Sequence, residues 1–342
     1  MAMDLFSTNH LTGVVNSLFN ELPSFLLDRY FPNVQSETSE EIHFDVETAF
    51  EGLAPFVSPV VEGKIMTNLG FTTKTFTPAY IKPKNVFEAG AALKRTIGET
   101  LTGNMSAQQR MQMLVAQNLA NHVSMIRRRL EWMASSILRL GSVTITGDLY
   151  PTTVVSFGRT AGLTVTLAGG TLWTAAGVNP LDNLKTWAAL VLATSGSAVT
   201  DVVMDIGAWL VFSENSFVIA RMAGQQALGQ RPTLSQDVVL QRGGVQMGTV
   251  DGFTIWVYSG RYKNDSGTVV PMLPNGTVLM VGAVDGVQAY GAIQDEAAGL
   301  QALPYYSKSW LSEDPPRRFI MTQSAPLLVP YRPDATLAAT VL

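Results

Sequence analysis

The sequence contains no cysteine, few histidines and little charge. Its 342 residues include three histidines, and 15% of them are charged, whereas a typical soluble domain has about 25%. Because cysteine is absent, disulfides, thiolate metal sites and cysteine nucleophiles are excluded. His10, His43 and His122 lie far apart in the chain and lack the spacing of metal ligands. We therefore predict no metal site and no cofactor.

The low charge has two explanations that the composition leaves open. One is a large core under a neutral surface. The other is a subunit that hides much of its surface in an assembly, because interfaces are depleted in Lys, Glu and Asp. The 23 Lys and Arg against 27 Asp and Glu give a net charge of −4. That balance excludes a dedicated nucleic-acid binder, whose affinity comes from basic side chains that neutralise phosphates.

Signals for export and for membranes are also missing. The first thirty residues contain one Lys or Arg, Arg29, so they lack the basic start of a signal peptide. The longest apolar run, 187–193, is far shorter than the ~20 residues that span a bilayer. We expect no membrane partner and synthesis in a cytoplasm.

Catalytic motifs are absent as well. The sequence has no Gly-x-x-x-x-Gly-Lys phosphate loop, no Gly-x-Gly-x-x-Gly turn and no Gly-x-Ser-x-Gly nucleophile elbow. A Ser/His/Asp triad would need one of the three histidines, and none of these follows a strand into a cleft. We therefore predict that the protein is not an enzyme and assign no catalytic residue.

Two neighbouring segments near the N-terminus carry opposite charge. Residues 36–51 contain six carboxylates, with no Lys or Arg between Arg29 and Lys64, which predicts an exposed acidic arm. Residues 57–67 and 71–81 flank a turn at 68–70 and predict a basic β-hairpin. An isolated hairpin is at best marginally stable in water. This ribbon, residues 60–82, should therefore project from the body and lie against a partner.

The clearest element is a long helix. Ser106 and Gln109 form a capping box, apolar residues then recur every three or four positions, and Gly141 provides the stop. A helix over 107–140 would be about 50 Å long, so it predicts an elongated domain. Three consecutive arginines, 127–129, cannot all point the same way. At least one of them should reach a carboxylate on another element or on another subunit. His122, which lies beside the apolar stripe, should be a core residue.

The rest of the chain alternates short strands and helices. We predict strands at 143–146, 152–157, 163–167, 199–204 and 277–281, and helices at 182–193, 208–219 and 235–240. Asp251-Gly252, within 248–258, is a strong hairpin signal.

Several segments between residues 55 and 328 together carry a family resemblance. Two lie in the ribbon region: Val57-Ser-Pro-Val-Val-Glu-Gly63 and Phe76-Thr-Pro-Ala-Tyr-Ile-Lys-Pro-Lys84. Two more are Val257-Tyr-Ser-Gly-Arg-Tyr262 and Met272-Leu-Pro-Asn275. The most specific block comprises Tyr290-Gly-Ala-Ile-Gln-Asp295, Lys308-Ser-Trp310, Asp314-Pro315 and Met321-Thr-Gln-Ser-Ala-Pro-Leu327. This ordered set resembles the major capsid proteins of lambda-type tailed phages, the capsid E family.

The resemblance implies an α+β protein with the Hong Kong 97-type capsid fold. Residues 1–54 would be an N-terminal arm and 55–99 an extended β-hairpin loop. Residues 100–197 and 319–342 would form a peripheral domain with the spine helix at 107–140, and 198–318 an axial domain.

The implied function is that of the major capsid protein of a tailed double-stranded DNA phage. Such a chain self-assembles into pentamers and hexamers, which form the icosahedral head shell around the genome without reading its sequence. The implied partners are a separate scaffolding protein and a portal, with a decoration protein as a further candidate, and the implied location is the virion. Two alternatives remain open: an encapsulin-like nanocompartment shell, and a β-rich ligand-binding or adhesion protein.

In the resembled fold the arm and the extended loop both cross subunit boundaries, so opposite charges could meet there between chains. The candidate inter-subunit residues are the acidic Glu37, Glu40 and Glu41, the basic Lys74, Lys82 and Lys84, and the helix arginines Arg127, Arg128 and Arg129. The alternative is that these residues form unrelated solvated faces.

Overall fold

The longest element of the protein is helix α3. The computed structural model describes residues 7–19, 24–37, 39, 41–47, 71–88, 90, 106–147, 150–227, 239–241, 243–264, 266–314 and 317–342. Helix α3 spans Ala107–Leu140, the range predicted for the spine helix. The side chains and backbone N–H groups of Ser106 and Gln109 bond reciprocally at 2.9 and 3.2 Å, which confirms the capping box. Gly141 ends the helix with a φ of 66°, a conformation that favours glycine.

The remaining elements are short. The other described α-helices are α1 (Thr8–Phe19), α2 (Phe25–Tyr30), α4 (Pro180–Ser195), α5 (Ile206–Glu214) and α6 (Ser216–Ala227). The strands before α4 are β1 (Asn33–Ser36), β2 (Ile42–Glu47), β3 (Phe71–Phe76), β4 (Lys84–Glu88), β5 (Ser142–Gly147), β6 (Tyr150–Ser156) and β7 (Thr164–Thr166). The strands after α4 are β8 (Asp201–Met204), β9 (Val239–Gln241), β10 (Gly244–Val250), β11 (Phe253–Tyr258), β12 (Arg261–Lys263), β13 (Val269–Pro271), β14 (Thr277–Val281), β15 (Gly286–Tyr290), β16 (Tyr306–Ser312), β17 (Arg317–Gln323), β18 (Pro326–Pro330) and β19 (Thr336–Thr340).

A mixed seven-stranded sheet, in the order β7-β19-β14-β8-β11-β10-β9, separates two hydrophobic cores. Strand β8 pairs in parallel with β11 and antiparallel with β14, and β19 joins β14 to β7. Successive side chains of a strand point to opposite faces. Val203 and Leu279 accordingly belong to the first core, while their neighbours Val202 and Met280 belong to the second.

The first core lies between this sheet and α3. The apolar stripe of the helix is buried, and Ile126 and Leu130 at its centre have no exposed surface. It packs on β5, β17, β18 and β19, and α1 and α2 pack against the same helix. The stripe thus lies against β5, β17 and β18 as well as against β19 of the central sheet.

The second core lies on the opposite face of the sheet, under α4, α5 and α6. The rings of Trp173 and Trp187 stack with centroids 6.2 Å apart, and Phe212 lies 5.8 Å from Trp173. Asp205 begins α5 by accepting hydrogen bonds from the N–H groups of the next turn at 2.8 and 3.2 Å. Large aromatic side chains supply much of the buried apolar area of such a core.

Smaller sheets surround these two cores. Strands β16, β17 and β4 form an antiparallel sheet, and β1, β15 and β18 form a mixed one. The pairs β5–β6, β12–β13 and β2–β3 each form a two-stranded sheet among the described residues. In the last of these, Ile42 lies opposite Phe76 and Glu47 opposite Phe71.

The predicted ribbon differs from the structure in its described part. Residues 57–67 and the turn at 68–70 lie outside the described residues. The strand predicted at 71–81 ends at Phe76, and its described partner is β2, which belongs to the predicted acidic arm. Backbone hydrogen bonds thus join the predicted arm to the predicted loop within one chain. No signal in the sequence indicated this pairing, because the two strands are about 25 residues apart.

Two predicted helices also differ. Asn215 splits the helix predicted at 208–219, because its side chain donates to the carbonyl of Val178 at 3.1 Å and accepts from the N–H of Phe217 at 3.0 Å. The helix predicted at 235–240 is wrong where the structure describes it, since Val239–Gln241 is strand β9, paired with β10. Tertiary pairing at a sheet edge overrides local preference there.

The predicted domain boundaries at 197/198 and 318/319 do not coincide with the limits of the seven-stranded sheet. Strands β7 and β19 lie outside the predicted axial segment, 198–318, yet pair within this sheet. Helix α4 contributes to the core on the same sheet. The assignment of segments to peripheral and axial domains stays a prediction.

Candidate functional site

A buried charge cluster fixes the short helix α2 against α3 and the central sheet. Arg127 is 5% exposed, and its Nη2 donates to both carboxylate oxygens of Asp28 at 2.6 and 2.7 Å. Its Nε donates to Ser24 at 3.1 Å. The prediction that one of the three arginines reaches a carboxylate on another element is confirmed, and the pair joins α3 to α2 within one chain.

Glu131, one helical turn after Arg127, holds the N-terminus of α2. Its carboxylate accepts hydrogen bonds from the N–H groups of Phe25, Leu26 and Leu27 at 3.2, 2.9 and 2.9 Å. The phenol of Tyr258 donates to the same carboxylate at 2.8 Å. Burial raises the pKa of Glu131, and these donors offset only part of that effect. The carboxylate thereby satisfies backbone donors that a helix start otherwise leaves open.

Asp201 connects the other end of α2 to the central sheet. Arg29 donates to both oxygens of this carboxylate at 2.6 and 3.0 Å, and the phenol of Tyr30 donates to it at 3.2 Å. The guanidinium of Arg29 also lies 4.5 Å from the ring centre of Trp256. Burial, followed by the charge of Asp201, raises the pKa of Tyr30. These contacts fix the C-terminal end of α2, after which the chain continues into β1.

Sequence reasoning did not identify Glu131, Asp201 or Asp28 as functional residues. The sequence did contain a signal for Glu131. This residue lies four positions after Arg127 and next to Leu130 of the apolar stripe, where a charged side chain needs partners. No local signal marked Asp201, since its partners are about 170 residues away.

The other two arginines of the triplet are exposed. Arg128 donates to Ser124 on its own helix at 3.3 Å. The guanidinium of Arg129 lies 5.3 Å from the ring centre of Trp132. Neither forms an ion pair with a described residue, so both stay candidates for contacts with another chain.

The expected acidic and basic interface residues are not brought together within the chain. Among the described residues no ion pair joins Glu37 or Glu41 with Lys82 or Lys84. The ammonium of Lys82 lies 4.5 Å from the ring centre of Tyr80. That of Lys84 lies 4.8 and 5.7 Å from the ring centres of Phe319 and Trp310. Glu40 lies outside the described residues, and of Lys74 the structure gives only its place in β3, opposite Phe44.

His122 is a core residue, as predicted. It is 1% exposed, and its Nδ1 lies 3.1 Å from the hydroxyl of Thr322, which in turn lies 2.9 Å from that of Ser307. Its Nε2 has no hydrogen-bond partner. Burial lowers the pKa of the imidazole. Across the described part of the chain, no group of three or more His, Asp or Glu side chains is arranged to hold a metal ion.

Comparison with known proteins identifies the family. The profile described as phage major capsid protein E matches residues 7–341. The chain belongs to this family of phage major capsid proteins. Its relatives include the major capsid protein of Escherichia phage lambda, 29% identical over 97% of this chain and 98% of that protein. The major capsid protein of Enterobacteria phage P21 is 30% identical over 99% of this chain and 100% of that protein.

Solved structures show the fold of this family member. A prophage protein of Escherichia coli CFT073 assigned as a capsid protein aligns over 98% of this chain and 99% of its own, with a TM-score of 0.75 and 20% identity. The capsid of Ralstonia phage GP4 aligns over 96% of this chain and 88% of its own, with a TM-score of 0.51 and 13% identity. The predicted α+β, Hong Kong 97-type capsid fold is therefore confirmed.

The family also decides between the functions left open by the sequence. This chain is a phage major capsid protein and a structural component of the virion, and the family match favours this function over a nanocompartment shell or an adhesion protein. None of the helices that the structure describes combines the length and the apolarity needed to cross a membrane.

Proposed function

We propose that this chain self-assembles into pentamers and hexamers, which form the icosahedral head shell around a double-stranded DNA genome. The observation that carries the proposal is the family match over residues 7–341. The shell would enclose the DNA without reading its sequence, consistent with a net charge of −4. The chain would be made in the host cytoplasm, act without catalysis, and work with a scaffolding protein, a portal and, as a further candidate, a decoration protein.

The architecture supports an assembly role. Two cores on one sheet make a rigid body, and the charge cluster fixes α2 to that body at three points. Beyond α2 the chain continues into β1 and then into the two-stranded β2–β3 sheet. We assign the rigid body to tiling of the shell, and the arm with the β2–β3 sheet to contacts between neighbours.

Assembly is tested by expressing the full chain alone and with its phage's scaffolding protein. Mass photometry and negative-stain electron microscopy of the purified material should show capsomers and shells, in multiples of the 36.9 kDa subunit. A protein that stays monomeric under both conditions, at all concentrations tested, would contradict the proposal.

Charge complementarity between neighbours is the second part of the proposal. Glu41, Lys82 and Lys84 are exposed, and in the described residues they form no ion pair. Each exposed pair contributes only about 0–1 kcal/mol. Repeated around a capsomer, such pairs set the register between subunits, because like charges penalise wrong docking.

A charge reversal tests this second part. Lys82→Glu with Lys84→Glu should impair shell formation at physiological salt and leave the folded subunit intact. Glu40→Lys with Glu41→Lys in the same chain should restore part of the assembly. Lys263→Glu with Arg317→Glu, an equal charge change at two other exposed positions, is the control and should form shells. Normal shells from the first variant would rule out this mechanism.

A further inference from the structure

A cleft of about 300 Å³ lies where α3 meets the loop between β11 and β12. Arg127, Arg128 and Glu131 line it from the helix, and Tyr258 and Arg261 line it from the sheet side. The cleft adjoins the charge cluster described above.

The charge inside the cleft is not balanced. The guanidinium of Arg127 is paired with Asp28, and the carboxylate of Glu131 is turned towards the backbone of α2 and the phenol of Tyr258. Arg128 and Arg261 are exposed at the rim. Within the described part of the chain, neither of these two side chains meets a carboxylate. The cleft is therefore lined by two exposed arginines that form no ion pair with a described carboxylate.

The walls of the cleft are held rigidly. Tyr258 is 4% exposed, and its phenol is fixed by Glu131. A Cβ at Gly260 would lie 2.1 Å from this phenol oxygen, so the close approach of the backbone requires glycine. A rigid cleft loses little entropy when it binds a side chain, which favours a specific contact over a diffuse charge effect.

We propose that this cleft receives a carboxylate side chain from the acidic segment, residues 36–51, of a second copy of the chain. That segment carries six carboxylates and no Lys or Arg. The segment of the same chain is held elsewhere: Glu37 donates its N–H to the carbonyl of Tyr290 at 2.8 Å, and Ala292 donates to the carbonyl of Ser39 at 3.2 Å. None of the described residues of the segment lines the cleft, so we assign the carboxylate to a neighbour.

The shape of the cleft favours a peptide over DNA. A space of about 300 Å³ admits one extended side chain and its carboxylate, whereas a duplex is too wide to enter it. Two exposed arginines at the opening form bidentate contacts with a carboxylate when it reaches them. This inference rests on the proposed assembly, because it needs a second copy at close range.

The test uses a fluorescein-labelled synthetic peptide of residues 36–51 and the full-length chain, diluted to the unassembled state. Fluorescence anisotropy should show saturable, salt-sensitive binding. The double variant Arg128→Glu, Arg261→Glu should bind the peptide with an affinity at least roughly tenfold lower, because two ion pairs are lost. The control variant Arg129→Glu, Lys263→Glu has the same charge change on the same helix and strand but outside the cleft, and should bind as the unmodified chain does.

A second peptide, in which Gln and Asn replace the six carboxylates, should not bind. Equal binding of the acidic peptide to both double variants, no binding to the unmodified chain, or displacement of the peptide by a short DNA duplex would each overturn the inference. The peptide assay does not depend on shell formation. If shells form but the cleft variant binds normally, the inference fails and the proposed function stands; if no shells form, the proposed function itself fails.

Discussion

Removing the carboxylate of Glu131 should release α2 from the body of the subunit. In Glu131→Ala three backbone N–H groups and one phenol lose their acceptor in a site that is 5% exposed. A hydrogen bond to a charged group contributes about 1.5–3 kcal/mol. The four contributions do not add in full, because water enters the space left by the truncated side chain. We expect a loss of about 3–4 kcal/mol, within the range for breaking a buried charged network.

Denaturant unfolding of the unassembled subunit measures this loss, and hydrogen exchange locates it. The midpoint should fall, and the amides of Phe25, Leu26 and Leu27 should exchange as fast as those of a frayed helix end. Glu131→Gln is the matched variant. It keeps one acceptor oxygen but presents an NH₂ group to the remaining donor, so it should lose roughly half as much stability.

The loss of stability and the faster exchange at α2 should occur together. If Glu131→Ala lowers the free energy of unfolding by less than about 0.5 kcal/mol and the three amides stay protected, α2 is held by apolar packing alone. A loss of stability without faster exchange at α2 would show that the carboxylate supports another part of the core.

Three further predictions concern α3. Ile126→Asp places an unpaired charge in the first core and should cost several kcal/mol, giving insoluble protein on expression; a soluble, assembling variant would show that the stripe is not buried. Gly141→Ala forces a left-handed φ and brings a Cβ to 2.5 Å from that of Arg159, so the melting temperature should fall, and an unchanged value would contradict the close approach. Burial lowers the pKa of His122 below 6.5, so the unfolded chain binds its proton more readily. Stability should therefore fall as the pH drops below 6.5, in unfolding experiments at pH 7.5 and 5.5, and the part of this slope that His122 supplies should disappear in His122→Gln.

The local elements followed from local chemistry. The range 107–140 was predictable because each of its signals lies within the segment itself. A capping box marks the first turn of the helix, an apolar stripe continues along its 34 residues, and a glycine follows its last turn. The hairpin at Asp251-Gly252 was predictable for the same reason, since the two residues set the turn that joins β10 to β11. The ordered family segments then indicated the capsid fold, which no single helix or strand pattern could have done.

Long-range pairing was decided only by the tertiary structure. The charge of Arg127 predicted that a carboxylate would be found, but its partner, Asp28, is 99 residues away. The pairing of β2 with β3, and the place of the last strand, β19, between β14 and β7, depend on hydrogen bonds between segments that carry no mark of each other in sequence. The sequence thus determined the spine helix, the hairpin at Asp251-Gly252 and the family of the chain. The folded chain decided which charges are neutralised inside the subunit and which, at Arg128, Arg261, Lys82 and Lys84, remain exposed. The reason is that burial and the choice of partner depend on how the whole chain packs.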